Sequence, residues 1–86
     1  MKTALIIEDN ENNMELLSFI LESNEYEVIK AFTGIEGVNK AILEIPDFIL
    51  LDIQLPDIDG LRVIEGLRNR ESCKNIKIGE IIIALI

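Results

Sequence analysis

Short apolar runs alternate with amphipathic stretches along this chain. Thr3–Ile7 is apolar and short, and reads as a buried strand. The polar segment Glu8-Asp9-Asn10-Glu11-Asn12-Asn13 follows, rich in helix-capping residues. Met14, Leu17, Phe19, Ile20 and Leu21 then recur at near-helical spacing, which predicts a helix to about Ser23. Val28, Ile29, Ala31 and Phe32 predict a second strand over residues 26–32. Thr33-Gly34 breaks it, with Thr33 placed to cap the next element. Ile35, Val38, Ala41 and Ile42 mark a second amphipathic helix over Gly34–Glu44. Pro46 disfavours helix at Ile45 and stops it there. Phe48–Leu51 predicts the third strand, and residues 54–59 a loop. Leu61, Val63, Ile64 and Leu67 predict a third helix over residues 60–69. Residues 71–77 read as a polar connection, and the run Ile81-Ile82-Ile83-Ala84-Leu85-Ile86 as the fourth strand.

The order β-α-β-α-β-α-β predicts an α/β fold: a parallel sheet with helices on its faces, joined by right-handed crossovers. In such sheets ligands collect at the carboxyl ends of the strands. Two predicted strands end there in acids: Glu8-Asp9 after the first, Asp52 after the third. If those strands are neighbours, three carboxylates meet. Mg²⁺ suits such a site, because it takes few carboxylates together with water and a backbone carbonyl. The Gln54 carbonyl, two residues past Asp52, can complete the protein ligands. A carboxylate beside Mg²⁺ can also act as a nucleophile toward a phosphoryl group and form an aspartyl phosphate.

Other readings stay open for single residues. Glu8-Asp9 alone also suits a solvated loop that favours the following helix N-terminus. Asp52 alone suits a residue capping its own loop. Asp57 and Asp59 read as loop and helix-start residues, since Asp59-Gly60 opens a helix. Asn12 and Asn13 can face the site, though capping or solvent suits each better, and Arg68 and Arg70 read as solvated.

Composition narrows the functional classes. The 86 residues predict a single domain over 1–86. A hydrophobic content of 49% argues against disorder. The formal net charge of −8 argues against nucleic acid, since too little positive charge is available to replace counterions. It is compatible with a divalent cation or a basic partner surface. With no histidine, Ser-His and Cys-His catalysis and histidine metal sites are excluded. The single cysteine, Cys73, cannot form an internal disulfide. Neither a secretory signal nor an apolar run of the roughly 20 residues that span a membrane is present. A cytoplasmic location without membrane contact is the expectation.

The stretches Ala4-Leu5-Ile6-Ile7-Glu8-Asp9-Asn10 and Pro46-Asp47-Phe48-Ile49-Leu50-Leu51-Asp52-Ile53-Gln54-Leu55-Pro56-Asp57-Ile58-Asp59-Gly60-Leu61 carry a further signal. With the order of elements, they make the chain resemble a bacterial response-regulator receiver domain of two-component signalling, from Thr3 to about Leu85. The resemblance implies a flavodoxin-like three-layer fold with strand order 2-1-3-4-5. It implies that Asp52 is the phosphoacceptor, served by a sensor histidine kinase or a histidine phosphotransfer protein. It implies Mg²⁺ held by Asp9, Asp52 and the Gln54 carbonyl, with Glu8 acting mainly through water.

Receivers also carry a fifth strand followed by a lysine, two further helices, and a hydroxyl residue closing the fourth strand. Here Ile86 takes the hydroxyl position and the lysine is absent, so the chain resembles a C-terminally truncated receiver. An apolar strand Ile81-Ile82-Ile83-Ala84-Leu85-Ile86 at the sheet edge would be a template for another chain. The expectation is therefore a homo-oligomer, a dimer or higher, formed through that strand or by exchange of elements. Two functions compete: a Mg²⁺-dependent phosphoacceptor switch at Asp52, or a signalling-impaired receiver persisting as a self-associating structural module. A flavodoxin-like cofactor binder fits poorly, because no glycine- or hydroxyl-rich phosphate loop follows the first strand.

Overall fold

The structure is a computed structural model and describes residues 1–81. Its elements run β1 (Thr3–Ile7), α1 (Glu11–Ser23), β2 (Glu27–Ala31), α2 (Gly34–Glu44), β3 (Phe48–Leu51), α3 (Gly60–Arg68) and β4 (Lys77–Glu80). The strands form one parallel sheet in the order β2-β1-β3-β4. The chain steps outward from β1 to β2, then back across β1 to β3. Right-handed crossovers then put α1 on one face and α2 with α3 on the other. The result is the expected α/β, flavodoxin-like three-layer arrangement.

Side-chain alternation divides the core accordingly. Leu5 and Ile7 of β1 join Ala31, Ile49, Leu51, Ala41, Val63 and Leu67 in the cluster beneath α2 and α3. Ala4 and Ile6 are equally buried but belong to the opposite face, where α1 lies against β1 and β2. Of the α1 residues read as apolar stripe, only Met14 is fully buried; Phe19 and Ile20, like Leu16, are exposed. The helix lies at the end of the sheet nearest β2, so only part of its apolar surface has a strand beneath it.

Local chemistry fixes the helix ends. Asn10 caps α1, its side chain accepting from Asn13 N–H at 2.9 Å. Thr33 caps α2, accepting from Glu36 N–H at 3.1 Å. Asp59 caps α3, accepting from Leu61 N–H at 2.9 Å. Ile45 ends α2 in the left-handed region, at φ 45°, immediately before Pro46.

The fourth strand requires a correction. The isoleucine run placed it from Ile81; it begins at Lys77, pairing Phe48 with Lys77 and Leu51 with Glu80. The ladder continues one bond further, from Ile81 N–H to the Leu51 carbonyl at 2.8 Å. Ile81 therefore already stands level with Asp52. Of the predicted strand, residues 82–86 lie outside the described residues, and so do Ile86 and the expected pairing edge.

The segment before β4 also differs from its polar reading. Cys73 and Ile76 are buried in the main core. Arg68 is not merely solvated: its Nη1 donates to the carbonyls of Lys74 (2.8 Å) and Ile76 (2.7 Å).

Candidate functional site

Strands β1 and β3 are neighbours, with Ile7 opposite Leu51. One residue on, both chains are still held by ladder bonds. Glu8 N–H donates to the Ala31 carbonyl, and Asp52 N–H to the Ile7 carbonyl, each at 3.0 Å. Backbone pairing thus carries Glu8 and Asp52 to the same depth at the carboxyl edge. One carboxylate oxygen from each of Glu8, Asp9 and Asp52 lies within 4.8 Å of the others. The three acids singled out in the sequence therefore come together.

Their surroundings differ. Glu8 is buried, Asp52 half-buried and Asp9 exposed. Burial pushes the Glu8 carboxyl above its ordinary range, and the adjoining Asp52 adds to the rise through a side-chain hydrogen bond. The Asn13 side-chain amide, donating to Glu8 Oε1 at 3.0 Å, and the Asn10 N–H, donating to Oε2 at 3.4 Å, pull it partly back. Asn13 thus faces the site, the less favoured of the two readings its sequence position allowed. Its signal was its place in the first turn of α1, five residues past Glu8.

The loop after β3 starts with a turn closed by the nucleophile candidate itself. Asp52 Oδ1 accepts from Gln54 N–H at 2.9 Å. Gly60 N–H donates back to the Ile53 carbonyl at 2.9 Å, closing residues 53–60 on their own root. Asp57 does something the sequence did not disclose: it bonds the first amides of α2.

The cluster has the chemistry of a hard-cation site. Its donors are all oxygens, and among the described residues none of the three acids is salt-bridged; the ion pairs are Lys40–Glu36 and Lys74–Glu71. Three convergent carboxylates without a counter-charge, one with its proton affinity raised, fit a small divalent cation such as Mg²⁺. No helix among the described residues is long and apolar enough to cross a membrane.

Comparison with known proteins gives one consistent result. The family model for the response regulator receiver domain matches residues 4–83. Over 77 residues the chain is 40% identical to the polar-differentiation response regulator DivK of Brucella ovis, covering 90% of this chain and 63% of DivK. The chain thus spans under two thirds of the length of the curated relatives it matches. Among solved structures it is similar to the receiver domain of the sensor histidine kinase PA1611 of Pseudomonas aeruginosa, which has a magnesium ion coordinated in its active site cleft. The TM-score is 0.89 at 30% identity, covering 92% of this chain and 65% of that one. It is also similar to the chemotaxis response regulator CheY4 of Vibrio cholerae, with a TM-score of 0.90 at 26% identity, covering 93% and 67%.

Proposed function

The chain belongs to the response regulator receiver domain family, and on that premise we propose that it is a phosphoacceptor of a two-component phosphorelay, modified on Asp52 in the presence of Mg²⁺. The observation that carries this reading is the convergence of Glu8, Asp9 and Asp52 at one strand edge. Asp9, Asp52 and the Gln54 carbonyl would hold the ion directly, and Glu8 mainly through water. Bound there, Mg²⁺ supplies neutralisation of the charge on the transferring phosphoryl oxygens.

The chain's own residues do the rest. Gln54 N–H fixes Asp52 Oδ1 and with it the plane of the carboxylate. The other oxygen is left to attack phosphorus. The donor is a phosphohistidine of a sensor histidine kinase or a histidine phosphotransfer protein. The new O–P bond makes an acyl phosphate on Asp52. The P–N bond breaks, and its electron pair returns to the donor imidazole. Asn13 and Asn10 donate to the Glu8 carboxylate and offset part of the penalty of its burial.

The test uses the 86-residue chain with Mg²⁺ and either acetyl phosphate or beryllofluoride, comparing wild type with Asp52→Asn. The expected result is a Mg²⁺-dependent mass gain of one phosphoryl group, absent from the variant, and beryllofluoride binding lost in the same way. Folded wild-type protein that binds neither Mg²⁺ nor beryllofluoride and gains no mass would overturn the reading.

A further inference from the structure

The loop that carries Gln54 is fastened to a second element at one residue. Asp57 Oδ1 accepts from Gly34 N–H at 2.7 Å, and Oδ2 accepts from Ile35 N–H at 2.8 Å. These are the first two amides of α2, which no carbonyl of that helix can serve. The positive end of the helix favours the carboxylate. The helix already has its own cap, since Thr33 takes the Glu36 amide. Asp57 is therefore an addition to ordinary capping, and it comes from a loop more than twenty positions further along the chain.

Packing tightens the same joint. A Cβ on Gly34 would stand 2.5 Å from Ile58 Cγ1, so helix start and loop are in close contact beside Asp57. The remaining side-chain and backbone bonds of the loop return to its own root or to α3: Gln54 N–H to Asp52 Oδ1, Gly60 N–H to the Ile53 carbonyl, and Leu61 N–H to Asp59 Oδ1. Without Asp57, residues 55–58 would be joined to α2 by apolar contact alone, which has no direction.

We infer that Asp57 is a positioning residue for the cation site: by clamping the loop to the N-terminus of α2, it holds the Gln54 carbonyl at the depth of Asp52 and Glu8. The inference rests on the reading of Glu8, Asp9, Asp52 and Gln54 as a Mg²⁺ site. Bonds from Ile35 and Gly34 also hold the Asp57 carboxyl below its ordinary range, so the clamp is charged at neutral pH. Coupling of this kind is reciprocal. If Asp57 helps the loop to bind Mg²⁺, then Mg²⁺ must tighten the clamp at Gly34 and Ile35, which are not members of the acidic cluster.

Mg²⁺ affinity, thermal midpoint and amide exchange of wild type, Asp57→Ala, Asp57→Asn, Thr33→Ala and Asp52→Asn test this. Thr33→Ala weakens the same helix end without touching the loop. It is expected to lower the midpoint and leave the Mg²⁺ dissociation constant within about twofold of wild type. Asp57→Ala is expected to weaken Mg²⁺ binding by about five- to tenfold, the scale of a modest coupling, with Asp57→Asn between. In wild type, Mg²⁺ is expected to slow exchange of the Gly34 and Ile35 amides. Asp57→Ala binding Mg²⁺ as wild type does, or exchange at Gly34 and Ile35 indifferent to Mg²⁺, overturns the positioning role alone. Wild type that does not bind Mg²⁺, or Asp52→Asn that binds it equally well, overturns the site itself and this inference with it.

Discussion

The Asn13 side-chain amide donates to Glu8 Oε1 at 3.0 Å, tying the first turn of α1 to the end of β1. Because Glu8 is buried, that bond opposes the burial that raises its proton affinity. A hydrogen bond to a charged group contributes about 1.5–3 kcal/mol, and this one is only part-buried, so the lower end applies. Asn13→Ala should therefore weaken Mg²⁺ binding at neutral pH by roughly tenfold, measured by calorimetric titration. Thermal stability without the ion should change little, because the variant also relieves α1 of an asparagine in its first turn. An unchanged Mg²⁺ affinity would show that Asn13 does not support Glu8.

Two carboxyls with opposite shifts set the pH dependence of stability. Asp57 is held below its ordinary value of 3.8 by the Ile35 and Gly34 amides. Its folded pKa lies below its unfolded one, so its contribution is complete above 3.8 and is lost as pH falls through the folded value. Glu8 is raised above 4.5, chiefly by burial. Its contribution is complete below 4.5 and is lost as pH rises through the folded value. Urea midpoints measured in chelator should accordingly decline on both sides of this interval. Glu8→Gln should flatten the decline on the alkaline side, and Asp57→Asn the one on the acid side. Mg²⁺ should also remove much of the alkaline-side decline, since it binds the ionised form.

Most of the site was legible in the sequence because strand ends and acids are local signals. Glu8-Asp9 and Asp52 each close an apolar run, and parallel pairing of β1 with β3 needs no further information to bring them together. The fourth strand was legible in kind but not in place. Six consecutive apolar residues from Ile81 outweighed Lys77-Ile78-Gly79-Glu80, whose polar members suit the outer position of the described sheet. Pairing with β3 decided the register, as tertiary context overrides strand propensity. Gly79 fits there because Leu50 lies close over it: a Cβ would meet Leu50 Cδ2 at 3.3 Å. The Asp57 clamp was illegible for a different reason. It joins residues 22 and 23 positions apart, and nothing in either segment's periodicity encodes a hydrogen bond between them.

Gly60 is required by a close backbone approach. A Cβ there would stand 2.5 Å from Ile53 Cα and 2.9 Å from the Asp52 carbonyl oxygen. Both are backbone atoms at the root of the site loop, and they cannot give way as a side-chain tip would. Gly60→Ala should therefore cost about 1–3 kcal/mol of stability, the range for overpacking, and displace the loop that presents the Gln54 carbonyl. Chemical denaturation should show the loss, and Mg²⁺ titration a weaker site. Gly66→Ala is the matched control, because nothing lies within 4 Å of a Cβ at that position; it should be neutral or slightly stabilising through helix propensity.

Arg68 closes the turn between α3 and β4 from the end of the helix. Its Nη1 serves the Lys74 and Ile76 carbonyls, and between those residues and the helix lies buried Cys73. The guanidinium therefore holds in place a connection whose Cys73 and Ile76 side chains complete the core beneath α3. Arg68→Ala leaves the part-buried Ile76 carbonyl without this donor, at a cost of about 1–2 kcal/mol. Lysine keeps the charge but not the planar guanidinium that aims both Nη1 protons at the two carbonyls, so Arg68→Lys should recover only part of the loss. Amide exchange should localise the effect to β4, with Ile81, whose N–H donates to the Leu51 carbonyl, opening faster than β1 amides. Mg²⁺ affinity should stay near that of wild type, since neither carbonyl belongs to the acidic cluster. A variant as stable as wild type, with unchanged exchange along β4, would show that the turn is held by the burial of Cys73 and Ile76 alone.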